Sequence, residues 1–180
     1  MPPATSFIRK KLDKKNMIIR EENQSDIASI TTVHSQAFNG PDEGEIVKNL
    51  RKNNNLTISL VAEADGKIIG HIAYSPIYSK NKEIIGIGLA PIAVSPSHQK
   101  QGVGSKLIEK GNEIALSKDF KKIFVLGGPE YYCRFGFKMA KNYNYFSSFD
   151  PEGNHFMVLG EELKKESEKA SVYYCKEFNV

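Results

Sequence analysis

The sequence predicts a mixed α/β domain, a mostly antiparallel central sheet flanked by helices. Three observations point there. Two short turns, Asp65-Gly66 and Ser79-Lys80-Asn81-Lys82, join apolar runs into successive antiparallel hairpins. The buried-strand pattern Leu89-Ala90-Pro91-Ile92-Ala93-Val94 leads through a helical pattern to Ile123-Phe124-Val125-Leu126. A strand, a helix and a strand in that order make a crossover between parallel neighbours. Finally, 180 residues without an internal repeat, low-complexity block or linker are one domain's worth, enough to bury a core without staples.

The elements follow in order. A first strand is expected over 17–22. Ser25-Asp26 is placed to cap a helix in which Ile27, Ile30, Val33, Ala37 and Phe38 keep helical spacing. Asn39-Gly40-Pro41 leads to a second helix near 42–52, ended by Asn53-Asn54-Asn55. The second strand, near 57–64, alternates Ile58, Leu60 and Ala62. The third and fourth are expected near 67–79 and 83–94. The main helix, about 103–118, turns Val103, Leu107, Ile108, Ile114, Ala115 and Leu116 largely inward. A fifth strand at 122–127, a short helix at 129–134 with Pro129 near its start, and strands near 136–140 and 154–160 follow. The apolar tail 171–178 reads as a last strand or packed segment.

Composition narrows the function classes. Hydrophobic residues make up 40% and charged residues 26%, as in ordinary globular proteins. No apolar run approaches the ~18 residues that span a bilayer, so no membrane partner is expected. Two cysteines, Cys133 and Cys175, cannot build a disulfide framework, and a reduced, cytoplasmic setting is the simplest reading. The net charge of +4 resides in residues 1–16, where Arg9, Lys10, Lys11, Lys14 and Lys15 face only Asp13. The rest is balanced, which argues against a nucleic-acid partner. Residues 1–16 are read as a basic extension, and 17–180 as the domain.

The most informative segment is Pro96-Ser97-His98-Gln99-Lys100-Gln101-Gly102-Val103-Gly104-Ser105. It joins a strand to a helix through glycines, a geometry that aims backbone N–H groups and a helix N-terminus at one spot and suits phosphate. A Walker A loop is excluded, because no Gly-Lys-Ser or Gly-Lys-Thr exists. A G-x-G-x-x-G dinucleotide loop fits poorly, because Leu107 stands where the third glycine belongs. The pattern Q/R-x-x-G-x-G/A is met by Gln99, Gly102 and Gly104.

That pattern resembles the acetyl-CoA pyrophosphate loop of the GCN5-related N-acetyltransferase (GNAT) superfamily. Downstream, Tyr132, Gly136 and Phe137 match the family's Y-x-x-x-G-F segment. The longer string from Leu126 to Phe137, L-G-x-P-x-Y-Y-x-R-F-G-F, is similar to a subgroup of predicted N-acetyltransferases. The resemblance covers roughly residues 17–178. It implies that the fourth and fifth strands splay apart and that pantetheine lies in the V-shaped opening.

It also implies roles for residues. Backbone N–H groups of Gln101, Gly102, Val103, Gly104 and Ser105 would solvate the pyrophosphate, with Gln99 bracing the loop. Lys100 and Lys106 either add charge there or are solvated helix-end lysines. Ile92, Ala93 and Val94 would pair with pantetheine through their backbone. A bulge in that strand is expected to free one N–H, of Ile92 or Val94, for the thioester carbonyl. Tyr132 is the candidate general acid for the leaving thiolate; a phenol with a pKa near 10 is protonated at pH 7. Tyr131 is the adjacent alternative, about 100° away around a helix. Cys133 lacks a paired histidine and acid and reads as a small hydrophobe. Arg134 holds the short helix through a carboxylate or meets the adenosine phosphate.

No general base is evident. Glu43, Glu45, His34 and His71 are the candidates near the acceptor side, and His98 reads as structural. No side chains have metal-ligand spacing, and no G-x-S-x-G elbow exists. The expected function is transfer of acetyl from acetyl-CoA, as cosubstrate, to a primary amine of a small molecule or peptide, by direct attack in a ternary complex. A non-catalytic acyl-CoA-binding module and a longer-chain acyltransferase are the alternatives. The acceptor would be set by the region of the first two helices, 39–55, and the later loops, 141–153, where Tyr143, Tyr145, Phe146 and Phe149 line either a pocket or a packed contact. A homodimer is common in the resembled family.

Overall fold

In the computed structural model, residues 17–179 are described, so the reading of residues 1–16 as an extension lies outside them. The first half contains β1 (Met17–Glu21), α1 (Ile27–Phe38), α2 (Asp42–Lys52), β2 (Ile58–Ala64), β3 (Lys67–Tyr78) and β4 (Ile84–Val94). The second contains α3 (Val103–Ser117), β5 (Ile123–Leu126), α4 (Pro129–Tyr132), β6 (Lys138–Met139), β7 (Tyr145–Ser147), β8 (Phe156–Leu159) and β9 (Ala170–Val172). Seven strands form one sheet in the order β1-β2-β3-β4-β5-β8-β6. Within it only β4 and β5 run parallel. The mixed, mostly antiparallel sheet flanked by helices is the fold class that the sequence predicts.

The pleat sorts side chains between two faces. On one face α3 lays Leu107, Ile108 and Ala115 on Ile72, Tyr74, Leu89 and Val125. On the other, α1 and α2 place Ile30 and Val47 against Val61 and Ala73. The Asp65-Gly66 turn has both residues at positive φ, 50° and 72°, which matches the right-handed twist of its two strands.

Two local expectations need correction. Asn23, not Ser25-Asp26, opens the first helical segment. Its side chain accepts from the Ser25 N–H at 2.9 Å, while Asp26 accepts from the Asn23 N–H at 2.8 Å. Asp26 is also clamped by Arg20 at 2.7 and 3.0 Å, which fixes the entry of α1 onto the sheet. Second, the stretch 141–153 is not all loop. Tyr145–Ser147 is a strand, and it pairs in parallel with Ala170–Val172 as a separate two-stranded sheet. A run of three residues is too short to show a period.

α3 approaches the sheet closely at Gly111, where an added Cβ would overlap the Tyr74 hydroxyl and ring. Tyr74 there donates to Asn112 at 3.0 Å. Gly111→Ala should therefore lower stability by about 2 kcal/mol in urea unfolding. Overpacking and the lost buried hydrogen bond outweigh alanine's better helix propensity. Gly40→Ala, with nothing near its added Cβ, should stay within ~0.5 kcal/mol of the parent.

Candidate active site

The site begins where β4 and β5 part. They pair only at Ile87↔Ile123 and Gly88↔Phe124. Beyond Gly88, β4 keeps β3 on one side and, among the described residues, has no partner on the other. A bulge sets Ala90 and Pro91 of β4 opposite the single residue Ala73 of β3. Proline has no N–H to waste there.

The register fixes where the next N–H groups point. The Ser95 N–H donates to the Ile69 carbonyl at 2.9 Å, and Ala93 faces His71 two residues back. Antiparallel pairs alternate, so Ala93 turns its N–H to β3 while Ile92 and Val94 turn theirs into the opening. The Val94 carbonyl confirms this sense: it accepts the Gln99 side-chain amide at 3.1 Å, away from β3.

Opposite this free edge stands the N-terminus of α3. Gly102 caps it with φ of +85°, a left-handed conformation that glycine takes without strain. The first intrahelical bond is Lys106 N–H to the Gly102 carbonyl at 3.1 Å. The N–H groups of Val103, Gly104 and Ser105 thus have no partner within the helix. Gln101 donates through its side chain to the Ser97 carbonyl at 2.9 Å, so both glutamines brace the loop. A cleft of about 560 Å³ lies between the two elements. It is lined by Ile92, Ala93, Val94, Gln99, Lys100, Gly102, Val103, Gly104 and Ser105, and also by Ala37, Phe38, His98, Tyr131 and Arg134. Among the sequence's candidates, Gln101 and Tyr132 are not in this lining.

The adjacent tyrosines diverge, their rings perpendicular with centroids 5.1 Å apart. Tyr131 lines the cleft, its hydroxyl over Gly104. Tyr132 is only 8% exposed and turns inward. Its ring edge meets Gly127, just past the end of β5, so closely that a Cβ on Gly127 would overlap it. Burial, helped by the neighbouring Tyr131 phenol, pushes Tyr132 up to about 12, so it holds its proton at neutral pH. Among the described residues, Arg134 meets no carboxylate. Its guanidinium lies over the Tyr131 ring at 4.5 Å and its Nε donates to the Tyr131 carbonyl at 3.2 Å. It braces the short helix by stacking. Cys133 is exposed and free. In the aromatic cluster, Tyr145 is buried in the core with Phe124 and Phe156, while Phe149 is exposed.

The sequence named His34 and His71 but not the polar line that joins them to Ser59 and Glu22 on the α1 face of the sheet. Nε2 of His34 is 2.8 Å from Nδ1 of His71, and Nε2 of His71 is 2.8 Å from Oγ of Ser59. Ser59 donates to Glu22, which also takes two bonds from Arg51 at 2.8 and 2.9 Å. Burial pushes the Glu22 carboxyl up, but bonds from His71, Arg51 and Ser59 together outweigh it and bring it down to about 2. Burial, with His71 adjacent, holds His34 down at about 3. The available signal was polar residues at inward positions, Ser59 and His71, on otherwise apolar strands. Glu45, by contrast, is exposed and pairs with Lys48.

Known proteins share this fold. The model of the acetyltransferase (GNAT) family matches residues 26–137. The chain is 32% identical over 129 residues to the uncharacterised N-acetyltransferase YhbS of Escherichia coli K12, covering 71% of this chain and 77% of that one. The crystal structure of E. coli YhbS in complex with CoA has a TM-score of 0.85 to this chain at 28% identity, covering 92% and 93% of the two. A GNAT family acetyltransferase from Brucella melitensis, solved with acetyl-CoA, has a TM-score of 0.76 at 35% identity, covering 90% and 97%.

The buried neutral His34 sets a pH dependence of stability. In the unfolded chain its pKa returns to about 6.5, so as pH falls the unfolded state binds the proton first. Stability is full above pH 6.5 and falls toward the folded value, with a slope of up to about 1.4 kcal/mol per pH unit. Glu22 adds its own loss only below about 4.5. Thermal melts between pH 6.5 and 4.5 should show a steep fall in Tm for the parent and a shallower one for His34→Gln. Parallel slopes would contradict a neutral, buried His34.

Proposed function

The chain belongs to the acetyltransferase (GNAT) family, and on that premise we propose that it moves acetyl from acetyl-CoA to a primary amine by direct attack in a ternary complex. One observation carries the reading: the open N-terminus of α3 faces the unpaired edge of β4 across a single cleft. The two sides suit the two halves of coenzyme A. The pyrophosphate would take the N–H groups of Gln101, Gly102, Val103, Gly104 and Ser105, which are fixed dipoles that need no reorganisation. The amide-bearing pantetheine would extend along Ile92, Ala93 and Val94 as an added strand. The CoA and acetyl-CoA held by the two similar crystal structures support the choice of donor.

The chemistry follows from the same geometry. The amine nitrogen attacks the thioester carbonyl and a C–N bond forms. The carbonyl oxygen becomes an oxyanion, stabilised by the N–H of Ile92 or Val94, a donor worth roughly 2.7–4 kcal/mol. The intermediate collapses, the C–S bond breaks, and CoA leaves as a thiolate. Tyr132, protonated and set against the end of β5, donates a proton to that thiolate, the amide nitrogen sheds its surplus proton to solvent, and solvent reprotonates the phenolate. Tyr131, with its hydroxyl over Gly104, instead covers the phosphate end. The acceptor is an amine of a small molecule or peptide, and with two free thiols the enzyme is assigned to the cytoplasm.

Calorimetric titration with acetyl-CoA, with ATP and NAD as controls, tests the reading. Micromolar binding of acetyl-CoA alone is expected, lost in Gly104→Glu, which puts a carboxylate among the phosphate-binding N–H groups. Tyr132→Phe should bind acetyl-CoA normally and slow amine-dependent thiol release by about 10²-fold. No binding of acetyl-CoA, or equal binding by Gly104→Glu, would overturn the assignment.

A further inference from the structure

One stripe of α2 crosses the sheet toward the cleft. Arg51, Val47 and Glu43 are spaced four residues apart and share a face of the helix. Arg51 reaches Glu22, just past β1, which also takes the Ser59 hydroxyl of β2. Val47 packs on Val61 of β2 and Ala73 of β3. A helical turn rises about 5.4 Å and neighbouring strands stand about 4.8 Å apart, so each turn advances the stripe by about one strand. Glu43, one turn before Val47, therefore comes over β4, which α2 touches. The Ala90-Pro91 bulge lies opposite Ala73, so the carboxylate stands beside the start of the free edge. Gly44 seats this end of α2 against α1: an added Cβ would be 3.5 Å from Thr31 and 3.8 Å from His34. Glu43 is half-buried, and among the described residues it has neither a hydrogen bond nor a salt bridge. Its neighbours Glu45 and Arg51 are matched, to Lys48 and Glu22.

Across the gap, the same face of the sheet is apolar. Ile77 alternates with Ala73 along β3 and clusters with Phe124 of β5, so Phe124 lies on the face that carries α1 and α2. Leu126, two residues on and last in β5, shares that face. At Gly88, the last β4 residue paired with β5, an added Cβ would meet the Tyr174 ring at 3.1 Å. Phe149 and Phe178 meet Tyr174 edge-on, at 5.7 and 5.2 Å between centroids. Phe178 in turn packs with Ile46 and Leu50 of α2, which closes the wall toward Glu43. The Tyr174 hydroxyl is buried with no partner among the described residues. Burial, with the Tyr132 phenol nearby, pushes it above its ordinary value, so this wall borders the leaving-group acid. Leu126 and Phe149 are 39% and 46% exposed, and Phe38, which lines the cleft from α1, is 43% exposed. Exposed apolar surface gathered at one mouth marks a binding site.

We propose that the acceptor is a primary amine on an apolar body, and that Glu43 holds its ammonium group and selects against acceptors with a carboxylate beside the amine. The inference rests on the amine-acetylation reading above. The acceptor arrives as a cation and donates to the Glu43 carboxylate, a charge-assisted bond. Its apolar body lies on Leu126, Phe149 and Tyr174, where it displaces water from exposed hydrocarbon. One N–H bond of the ammonium then breaks. The proton leaves to solvent through the open mouth, and the electron pair stays on nitrogen to attack the thioester. A carboxylate on the amine-bearing carbon would be brought against Glu43, like charge on like charge.

The test compares three acceptors at neutral pH by thiol release from acetyl-CoA. They are phenethylamine, phenylalanine (phenethylamine with a carboxylate on the amine-bearing carbon) and ethanolamine, whose body is polar. The parent should favour phenethylamine over each of the others by about 10²-fold in kcat/KM. Glu43→Gln should raise KM for phenethylamine about tenfold, with kcat changed less than about threefold, and should shrink the preference over phenylalanine by about tenfold. Glu43→Asp keeps the charge and should keep most of that preference. Phe149→Ala should shrink the preference over ethanolamine and leave that over phenylalanine. Acetyl-CoA affinity should be unchanged in all three variants. A merely structural Glu43 would instead lower activity with every acceptor alike, and that result overturns the proposal. So does a parent that binds acetyl-CoA but prefers phenylalanine or ethanolamine, or acetylates none of the three, an outcome that depends on no variant's folding. A parent that fails to bind acetyl-CoA would overturn the acetyltransferase reading, so the two failures are separable.

Discussion

The structure depends on one interruption in its sheet. β4 and β5 pair at two positions and then separate, and the site is built in the gap. Both the contact and the parting have local causes. At the contact, a Cβ on Gly86 would stand 2.6 Å from the Lys122 carbonyl, so only glycine lets the strands close there. Past it, the Ala90-Pro91 bulge redirects β4, and Tyr132 occupies the space beside the end of β5. A continuous ladder would satisfy more backbone groups. It would also leave Ile92 and Val94 with nothing to offer a ligand.

Backbone dipoles rather than side-chain charge dominate the cleft. Lys100 and Arg134 line it, but Arg134 is engaged with the Tyr131 ring, and the glutamines are tied to loop carbonyls. A pyrophosphate bound this way meets donors that were ordered on folding, which lowers the entropy lost on binding. The α1 face of the sheet is different: two fully buried histidines there join a half-buried serine and an ionised carboxylate. The cleft and that face are thus environments of opposite kind.

Much of the fold was legible because it is written in periods and turns. The Asp65-Gly66 hairpin, the β4-α3-β5 crossover and the inward face of α3 all follow from residues local in sequence. The glycine turn before α3 was legible for the same reason: Gln99, Gly102 and Gly104 fall within one short segment. What escaped was set by side-chain and strand contacts that no periodic pattern encodes. Asn23 takes the cap because Arg20 holds Asp26. Tyr145–Ser147 becomes a strand because Ala170–Val172 arrives beside it. Tyr131 enters the cleft while Tyr132 turns inward, a choice made by packing against Gly127 and not by sequence spacing. The Glu22–Ser59–His71–His34 line joins four separate elements, so no single window contains it.

The central claim is that two backbone N–H groups on β4 are left free for a thioester-bearing ligand. Amide hydrogen exchange at Ile92 and Val94, with and without acetyl-CoA, tests it most directly. Both amides should exchange readily in the free protein, while that of Ala93, paired with β3, is protected. Acetyl-CoA should slow exchange at Ile92 and Val94 by about tenfold or more, and ATP should leave them unchanged. Amides already protected in the free protein, or unaffected by saturating acetyl-CoA, would contradict the account.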